Sequence, residues 1–308
     1  MNRCWRLLVV SCCVWLAAAG SAVAAGQPVA PGAAPASLAD VESRLRGQPE
    51  RALQALAELL PRLKADEQVQ ALLVRGSYQL QSDDRAAVER TAQELDQLGT
   101  SQPAASAAAG LLRAHALARG GPASRADRLL TEALSRLPNA VPDRLRVRFV
   151  ETQARIKESL GQLDVAVALH QQSVSLADRV GEPWLRAETR GNLAYALVLA
   201  KQAQRALDIN REGLAIARQA GDLLAESESL TVEGIVTGVL GLTDAELQSS
   251  RDAIDRAHRA GAKRQEVQAL ANLADFYLKR EDYATALRLS LEALPLAREV
   301  KNLSSESV

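Results

Sequence analysis

The chain has 308 residues, with 37 Lys and Arg against 37 Asp and Glu, and only 3% of its residues are aromatic. Alanine, leucine, arginine and glutamate dominate and β-branched residues are sparse, a composition that favours helices and argues against a strand-rich fold. The charges are balanced and interspersed, which excludes the basic stripe typical of a nucleic-acid-binding surface.

The first 25 residues have the pattern of a cleavable secretory signal. Two arginines precede an apolar core at residues 7–19, and residues 22–24 form a small-residue cleavage site. A core of about 13 residues is shorter than the roughly 20 that a membrane-spanning helix requires. We therefore expect cleavage at about Ala24 or Ala25, a periplasmic or secreted protein, and no membrane span in the mature chain.

All the cysteines, Cys4, Cys12 and Cys13, lie inside this segment. A mature chain without a thiol has no disulfide, no cysteine-ligated metal and no cysteine nucleophile, which suits an oxidising compartment. Removal of the segment leaves 35 basic against 37 acidic residues. The stability of the mature protein must then come from packing.

The next segment, residues 26–37, reads GQPVAPGAAPAS and contains three prolines without a periodic apolar face. Such a composition predicts a flexible linker. We expect ordered structure to begin at Leu38.

From there the sequence repeats with a period of 40 residues, which is the signature of stacked repeats. Positions 40 residues apart form columns of similar residues. The first column is alanine, at Ala177, Ala217, Ala257 and Ala297. The second is glycine, at Gly181, Gly221 and Gly261, until Lys301, and the third holds small residues, at Ala133, Ser173, Gly213, Ala253 and Ala293. Apolar residues within each unit recur at intervals of three and four, so each unit is predicted to be two amphipathic helices. The glycine column predicts the end of the second helix of each unit.

Four units are clear, at residues 143–182, 183–222, 223–262 and 263–302 within the range 143–302. Residues 38–142 read as shorter, degenerate helical repeats, in which 38–63 form a pair that caps the array. Solenoids need an atypical unit at their ends because a regular unit would leave its apolar face uncovered.

The segment ALANLADFYLKREDYATALRLSLEALPLAR, from Ala269, resembles a tetratricopeptide repeat (TPR). Leucine and alanine stand at the family's Leu-Gly pair, and the tyrosine and two later alanines also match, at Leu273, Ala274, Tyr277, Ala286 and Ala293. The segment from Gly191 matches in the same way, although Arg190 and Leu270 replace the signature tryptophan and the closing proline is absent. The resemblance implies an all-α, right-handed superhelical solenoid of antiparallel helix pairs.

In that family the first helices of successive units line a concave groove, where an asparagine clamps the backbone of a bound peptide. The resemblance places Asn192 and Asn272 at this position, while Thr152 and Val232 interrupt the column. An amide group both donates and accepts hydrogen bonds, which suits capture of a peptide backbone. The neighbouring groove positions, which are open to an ordinary surface role as well, are Glu188, Tyr195, Gln268, Asp275 and Lys279.

The sequence carries no nucleophile elbow, zinc-ligand spacing or phosphate-binding loop, so we expect no catalytic residue, no cofactor and no metal. His115, His170 and His258 fall in different units, and units of a solenoid contact only their neighbours. The apolar run TVEGIVTGVLGL, from Thr231, is either a buried helix with closely packed glycines or a ligand contact. These features favour a binding protein over an enzyme.

The last residues, 303–308, are interpreted as the start of an incomplete further repeat. Either the sequence is truncated, or a homodimer covers the bare apolar face at this end. The signal, the proline-alanine linker and the 40-residue units are similar to the periplasmic TPR sensing regions of bacterial GGDEF diguanylate cyclases. Two functions remain open: a periplasmic scaffold that binds a peptide or protein in its groove, or the sensor region of such a cyclase.

Overall fold

The computed structural model describes residue 35 and residues 37–305. It does not describe the side chains of residues 65, 66 and 301–305. The predicted signal 1–25, most of the linker 26–37 and the last three residues of the predicted segment 303–308 lie outside the described residues. Within them the chain forms fourteen α-helices and a single 3₁₀ turn at Leu60–Arg62, with no β-strand. The helices are α1 (Leu38–Arg44), α2 (Pro49–Leu59), α3 (Ala65–Gln81), α4 (Arg85–Leu98), α5 (Pro103–Ala118), α6 (Ala123–Arg136), α7 (Asp143–Ser159), α8 (Leu163–Val180), α9 (Pro183–Leu199), α10 (Ala203–Ala220), α11 (Leu223–Val239), α12 (Thr243–Arg259), α13 (Lys263–Leu278) and α14 (Tyr283–Ser305).

From α3 onward each odd-numbered helix packs against the even-numbered helix that follows it, giving six pairs, α3–α4 to α13–α14. Each pair also packs against the next along the chain. The connections are short, so consecutive helices are antiparallel. The predicted all-α solenoid of helix pairs is therefore confirmed.

The column of small residues lies where second helices approach their neighbours. Ser173 and Ala253 are fully buried, and a Cβ atom on Gly213 would lie 3.2 Å from the carbonyl oxygen of Ala187. A larger side chain would push the two helices apart, since protein interiors are close-packed.

Two columns of residues with left-handed backbone end the helices. The predicted glycine column ends second helices, with φ of 82° at Gly181 and 66° at Gly221. A further column of residues with left-handed backbone follows the first helices and was not predicted from the sequence. Its members are Gly161, Lys201, Gly241 and Glu281, of which Lys201 and Glu281 are not glycine.

The N-terminal helices differ from the predicted capping pair. Helix α2 packs on α3 as a cap would, but α1 does not extend the stack. One side of α1 packs its buried Val41 and Leu45 with Leu56 and Tyr78. The other side of α1 faces the inner surface of the solenoid, described below.

Helix α14 continues to Ser305, past the predicted unit boundary at residue 302. Lys301 occupies the glycine column there, so no residue that favours left-handed backbone ends the helix. On this last pair Leu287 and Leu291 are 61% and 58% exposed. Nothing in the described residues covers them, and the homodimer stays a prediction.

Candidate functional site

The first helices of the pairs line an inner surface that we call the channel. Five of them, α3, α7, α9, α11 and α13, and helix α1 surround a narrow cleft at its centre. The lining residues are Glu42, Arg46, Val74, Ser77, Tyr78, Gln81, Arg148, Trp184, Glu188, Glu228 and Gln265. The guanidinium of Arg264 donates to the carbonyl oxygen of Gln81, so α13 reaches across to α3.

Helix α1 places an acidic side chain inside the channel. The carboxylate of Glu42 is almost inaccessible, with the residue 3% exposed, and it forms ion pairs with Arg144 and with Arg148, the latter at 3.0 Å. Burial raises the pKa of Glu42, and the two arginines oppose that rise. A carboxylate in such a position is tolerated only because cations accompany it.

One turn later along the same segment, Arg46 points toward the opposite wall. Its guanidinium lies 3.3 Å from Asp222 and 3.6 Å from Glu228, both on or next to α11. It also lies over the ring of the buried Trp184, 5.1 Å from the ring centre. Arginine over an indole face gains from the ring quadrupole as well as from the carboxylates.

Two arginines of α7 complete the surroundings of Trp184. The guanidinium carbons of Arg144 and Arg148 each lie 5.7 Å from the ring centre. The indole is therefore placed between the cations of α7 and the cation of Arg46. This arrangement links the two walls of the channel through one aromatic ring.

Glu228, on the opposite wall, is a second carboxyl with a raised pKa. Burial raises its pKa to about 7, and the charges of Glu188 and Asp222 add to the rise while Arg46 opposes it. A group with this pKa changes its charge near neutral pH.

A larger cleft of about 430 Å³ opens beside the turn between α1 and α2. One side is formed by residues 43, 44 and 46–48, and the other by Trp184, Asp222 and Leu224 with their neighbours. This cleft leads from the surface to the place where Arg46 is held.

The C-terminal halves of α7 and α9 form a different region, which we call the open end because α1 does not reach it. The imidazole of His170, from α8, is 1% exposed and lies 3.2 Å from Glu151 and 2.9 Å from Glu158. Burial alone would lower the pKa of His170, but hydrogen bonds to the two carboxylates raise it to about 9. The protonated imidazole in turn holds the pKa of Glu151 below its usual range.

Cations predominate on the neighbouring wall of the open end. Burial lowers the pKa of His115 to about 3, and the charges of Arg155, Arg119 and Arg148 lower it further. Burial and the charge of Arg155 also lower the pKa of Arg119. Arg119, at the end of α5, and Arg155, on α7, therefore lie close enough to His115 to affect its pKa.

The predicted groove residues fall in several settings. Glu188 lines the central cleft and makes no hydrogen bond or ion pair to another described residue. Asn192 donates to Glu151 at 2.6 Å and accepts from Arg155 at 3.5 Å, and the half-buried Tyr195 has its pKa raised by burial near Glu158.

The predicted positions on α13 lie together, on a more exposed surface. Gln268 donates to Asn272 at 3.0 Å, and Lys279 pairs with Asp275 at 2.5 Å. Partner binding by the seven predicted residues stays a prediction.

The sequence reasoning missed four residues of the channel, Glu42, Arg46, Trp184 and Glu228. One signal was available, because Trp184 is the only tryptophan between residues 26 and 308. Glu42 and Arg46 gave no signal of their own, since a charge pair four residues apart on a helix is ordinarily a surface feature.

The three histidines lie apart, as their positions in different units require. In the part of the chain that the structure describes, no group of three His, Cys, Asp or Glu residues is arranged to hold a metal ion. Among the helices of that part, none has both the length and the apolar character needed to cross a bilayer.

No protein-family model and no curated protein sequence matches this chain. Solved structures of TPR-like repeat proteins do resemble it. A Rap protein complexed with competence and sporulation factor has a TM-score of 0.64 at 13% identity, over 87% of this chain and 78% of that chain. BtubC from P. vanneervenii gives 0.54 at 17% identity, over 70% and 89%. The Cut9–Hcn1 assembly of the APC/C gives 0.55 at 17% identity, over 87% and 48%. At these identities the likeness establishes a TPR-like fold.

Proposed function

We propose that this TPR-like solenoid is a periplasmic or secreted scaffold that binds a segment of a peptide or protein partner in its channel. The observation that carries the proposal is the channel itself, in which first helices from five pairs converge on buried charges. Stacking of helix pairs does not require these charges, because the cores between neighbouring units are built from small and apolar residues.

The chemistry of the channel suits a polypeptide. Its walls offer carboxylates, guanidinium groups and an indole within one cleft, a mixture that recognises polar side chains and backbone together. The Rap protein that shares this fold has been crystallised with competence and sporulation factor. That precedent supports a bound partner without identifying the partner of this chain.

The test is capture of a defined partner by chains that differ at one channel residue. Glu188→Lys reverses a charge that lies near Arg46 and Arg148 in the channel, and circular dichroism establishes that the variant is folded. Glu132→Lys, on the outer face of α6, is the matched control because Glu132 is 58% exposed. We expect loss of capture with Glu188→Lys and normal capture with Glu132→Lys, and equal capture by both would refute the proposal.

The asparagine column gives a second, finer test. Asn192→Ala with Asn272→Ala removes both amides of the predicted backbone clamp. Unchanged partner affinity in this double variant would exclude the clamp while leaving the channel as the binding surface.

Export is part of the proposal and has its own measurement. The mass of the protein recovered from a bacterial periplasm should correspond to a chain that begins near residue 25 or 26. A full-length chain retained in the cytoplasm would exclude a periplasmic location.

The second candidate is the sensor region of a membrane-anchored diguanylate cyclase. The observation that favours it is the position of α1 in the channel, because an occupant that displaced α1 would change the arrangement of the chain there. Reading the coding sequence beyond codon 308 tests it. A frame that continues to an apolar span and a GGDEF motif would support sensing.

A further inference from the structure

The contacts of α1 with the channel differ from every contact between stacked pairs. Glu42 is paired with residues 102 and 106 positions away, and Arg46 with a residue 176 positions away. The helix itself has only 7 residues, too few to be stable in isolation. Its helical form therefore depends on contacts with the rest of the chain, the apolar cluster with α2 and α3 on one side and the charged walls of the channel on the other.

The charges of α1 match those of the two walls. The acidic group of Glu42 meets the cations of α7, and the cation of Arg46, four residues later, meets the carboxylates of Asp222 and Glu228. Without α1 the channel would have a cationic wall and an anionic wall that face each other. Opposed charges of this kind select an occupant by its pattern of charge.

The fit of α1 is incomplete. The Nε and Nη1 atoms of Arg46 are buried and have no hydrogen-bond partner. An unsatisfied buried donor is costly, so these two donors weaken the hold that the channel has on Arg46. The 430 Å³ cleft next to the turn after α1 provides space from which another segment can enter.

We propose that residues 38–48 are an internal ligand of the channel, and that the partner segment displaces α1 and carries the same two charges four residues apart, a carboxylate on a short helix and a guanidinium in the turn that follows it. The inference rests on the proposed function, whose partner class it specifies. In the free protein α1 excludes segments that lack this charge pattern.

The experiment uses the full chain with Trp5→Phe and Trp15→Phe, so that Trp184 is its only tryptophan. In this background Glu42→Gln with Arg46→Gln weakens the hold on α1. The control is Glu132→Gln with Arg136→Gln, the same two changes at the same spacing on an exposed ion pair of α6. Circular dichroism establishes that all three chains are folded.

The first readout is quenching of Trp184 fluorescence by acrylamide. Trp184 is 5% exposed and Arg46 lies over its ring, so release of α1 should increase the quenching constant several-fold. The control pair should leave it unchanged. Unchanged quenching in the Glu42→Gln, Arg46→Gln chain would overturn the proposal, because the two charges would then not hold α1.

The second readout is the affinity of a labelled peptide with the sequence of residues 37–48, SLADVESRLRGQ. The tethered α1 competes at an effective concentration on the order of millimolar. We expect at least tenfold tighter peptide binding by the Glu42→Gln, Arg46→Gln chain than by the parent and the control. Equal affinities, absence of binding, or equally tight binding of a peptide with glutamine at both charged positions would each overturn the proposal.

Failure of this inference can be distinguished from failure of the proposed function. If Glu188→Lys abolishes partner capture but the Glu42→Gln, Arg46→Gln chain captures the partner like the parent, the channel binds the partner without displacing α1. If Glu188→Lys has no effect on capture, the proposed function itself fails.

Discussion

The α1 end and the open end of the channel both bury charge, but they connect different parts of the chain. At the open end His170 joins Glu151 and Glu158, which are 19 and 12 positions away on the preceding helix. At the α1 end the pairs cross the channel and join residues more than 100 positions apart. The ion pairs at the open end therefore stabilise the stacked helices, whereas the ion pairs at the α1 end stabilise the segment that occupies the channel.

The largest expected effect is at the open end. His170→Gln removes the cation that two carboxylates share, and an uncompensated buried charge costs about 3–5 kcal/mol. We expect a loss of about 3 kcal/mol in the free energy of unfolding at pH 6, measured with urea. His258→Gln is the control, because the His258 side chain is 68% exposed and its pair with Glu266 should contribute less than about 1 kcal/mol. Similar effects of the two substitutions would remove the distinction between buried and exposed pairs.

The same histidine gives the parent protein a pH dependence. Its pKa in the folded state, about 9, lies above its ordinary 6.5, so its stabilising contribution is complete below pH 6.5 and is lost as pH rises through 9. A shift of this size corresponds to about 2–3 kcal/mol. Urea unfolding from pH 6 to pH 9.5 should show this loss in the parent and not in His170→Gln. A parent stability that is constant across this range would contradict the protonated imidazole.

At the α1 end, loss of a buried charge should act locally. Glu42→Gln leaves Arg148 without its carboxylate, while Arg144 keeps its pair with Glu182, and α1 can leave the channel while the six helix pairs stay folded. Hydrogen exchange should show faster exchange of the amides of residues 38–48, with the urea midpoint of the whole chain changed little. Loss of global stability as large as that of His170→Gln would show that α1 is part of the stack after all.

Glu228 should give the α1 end a pH dependence of its own. Its folded pKa is raised to about 7 from 4.5, so stability is greatest below pH 4.5 and falls as pH rises through 7. The side chain is 33% exposed, and water reduces the effect to about 1 kcal/mol. Urea unfolding compared at pH 5 and pH 8 should show a larger loss of the free energy of unfolding in the parent than in Glu228→Gln. The reverse trend would mean that pairing of ionised Glu228 with Arg46 dominates.

The smallest effect concerns the backbone at the open end, where first helices end in left-handed residues. Lys201 has φ of 62°, which is unfavourable for a side chain with a Cβ atom. Lys201→Gly should raise the free energy of unfolding by about 0.5–1 kcal/mol, and Gly161→Lys should lower it by a similar amount. Thermal unfolding checks both, and protection of α1 should be unaffected in either variant.

The sequence predicted the regular part of the fold because each signal there is local and repeated. A glycine every 40 residues predicted helix ends that the structure shows at Gly181 and Gly221. The second left-handed column escaped notice because Lys201 and Glu281 occupy it, and those residue types give no sign of positive φ.

The candidate site was harder to predict than the fold. The column of first-helix positions led to Glu188, which does line the central cleft. It could not lead to Glu42 or Arg46, since their partners lie on helices more than 100 residues away and no periodic pattern links them. A contact across the axis of a superhelix depends on the summed rotation of all the helix pairs that lie between the two residues.

That accumulation has a consequence at the contact between Arg264 and the carbonyl of Gln81. Five interfaces separate the pair α3–α4 from the pair α13–α14, and each adds a small rotation of its own. Where the last pair touches the first, a slight change in angle at every interface sums to a shift at this single junction. The distance between α3 and α13 at this junction therefore amplifies small changes of twist. A pair of distance probes placed on α3 and α13 would detect changes of twist too small to see between adjacent helices.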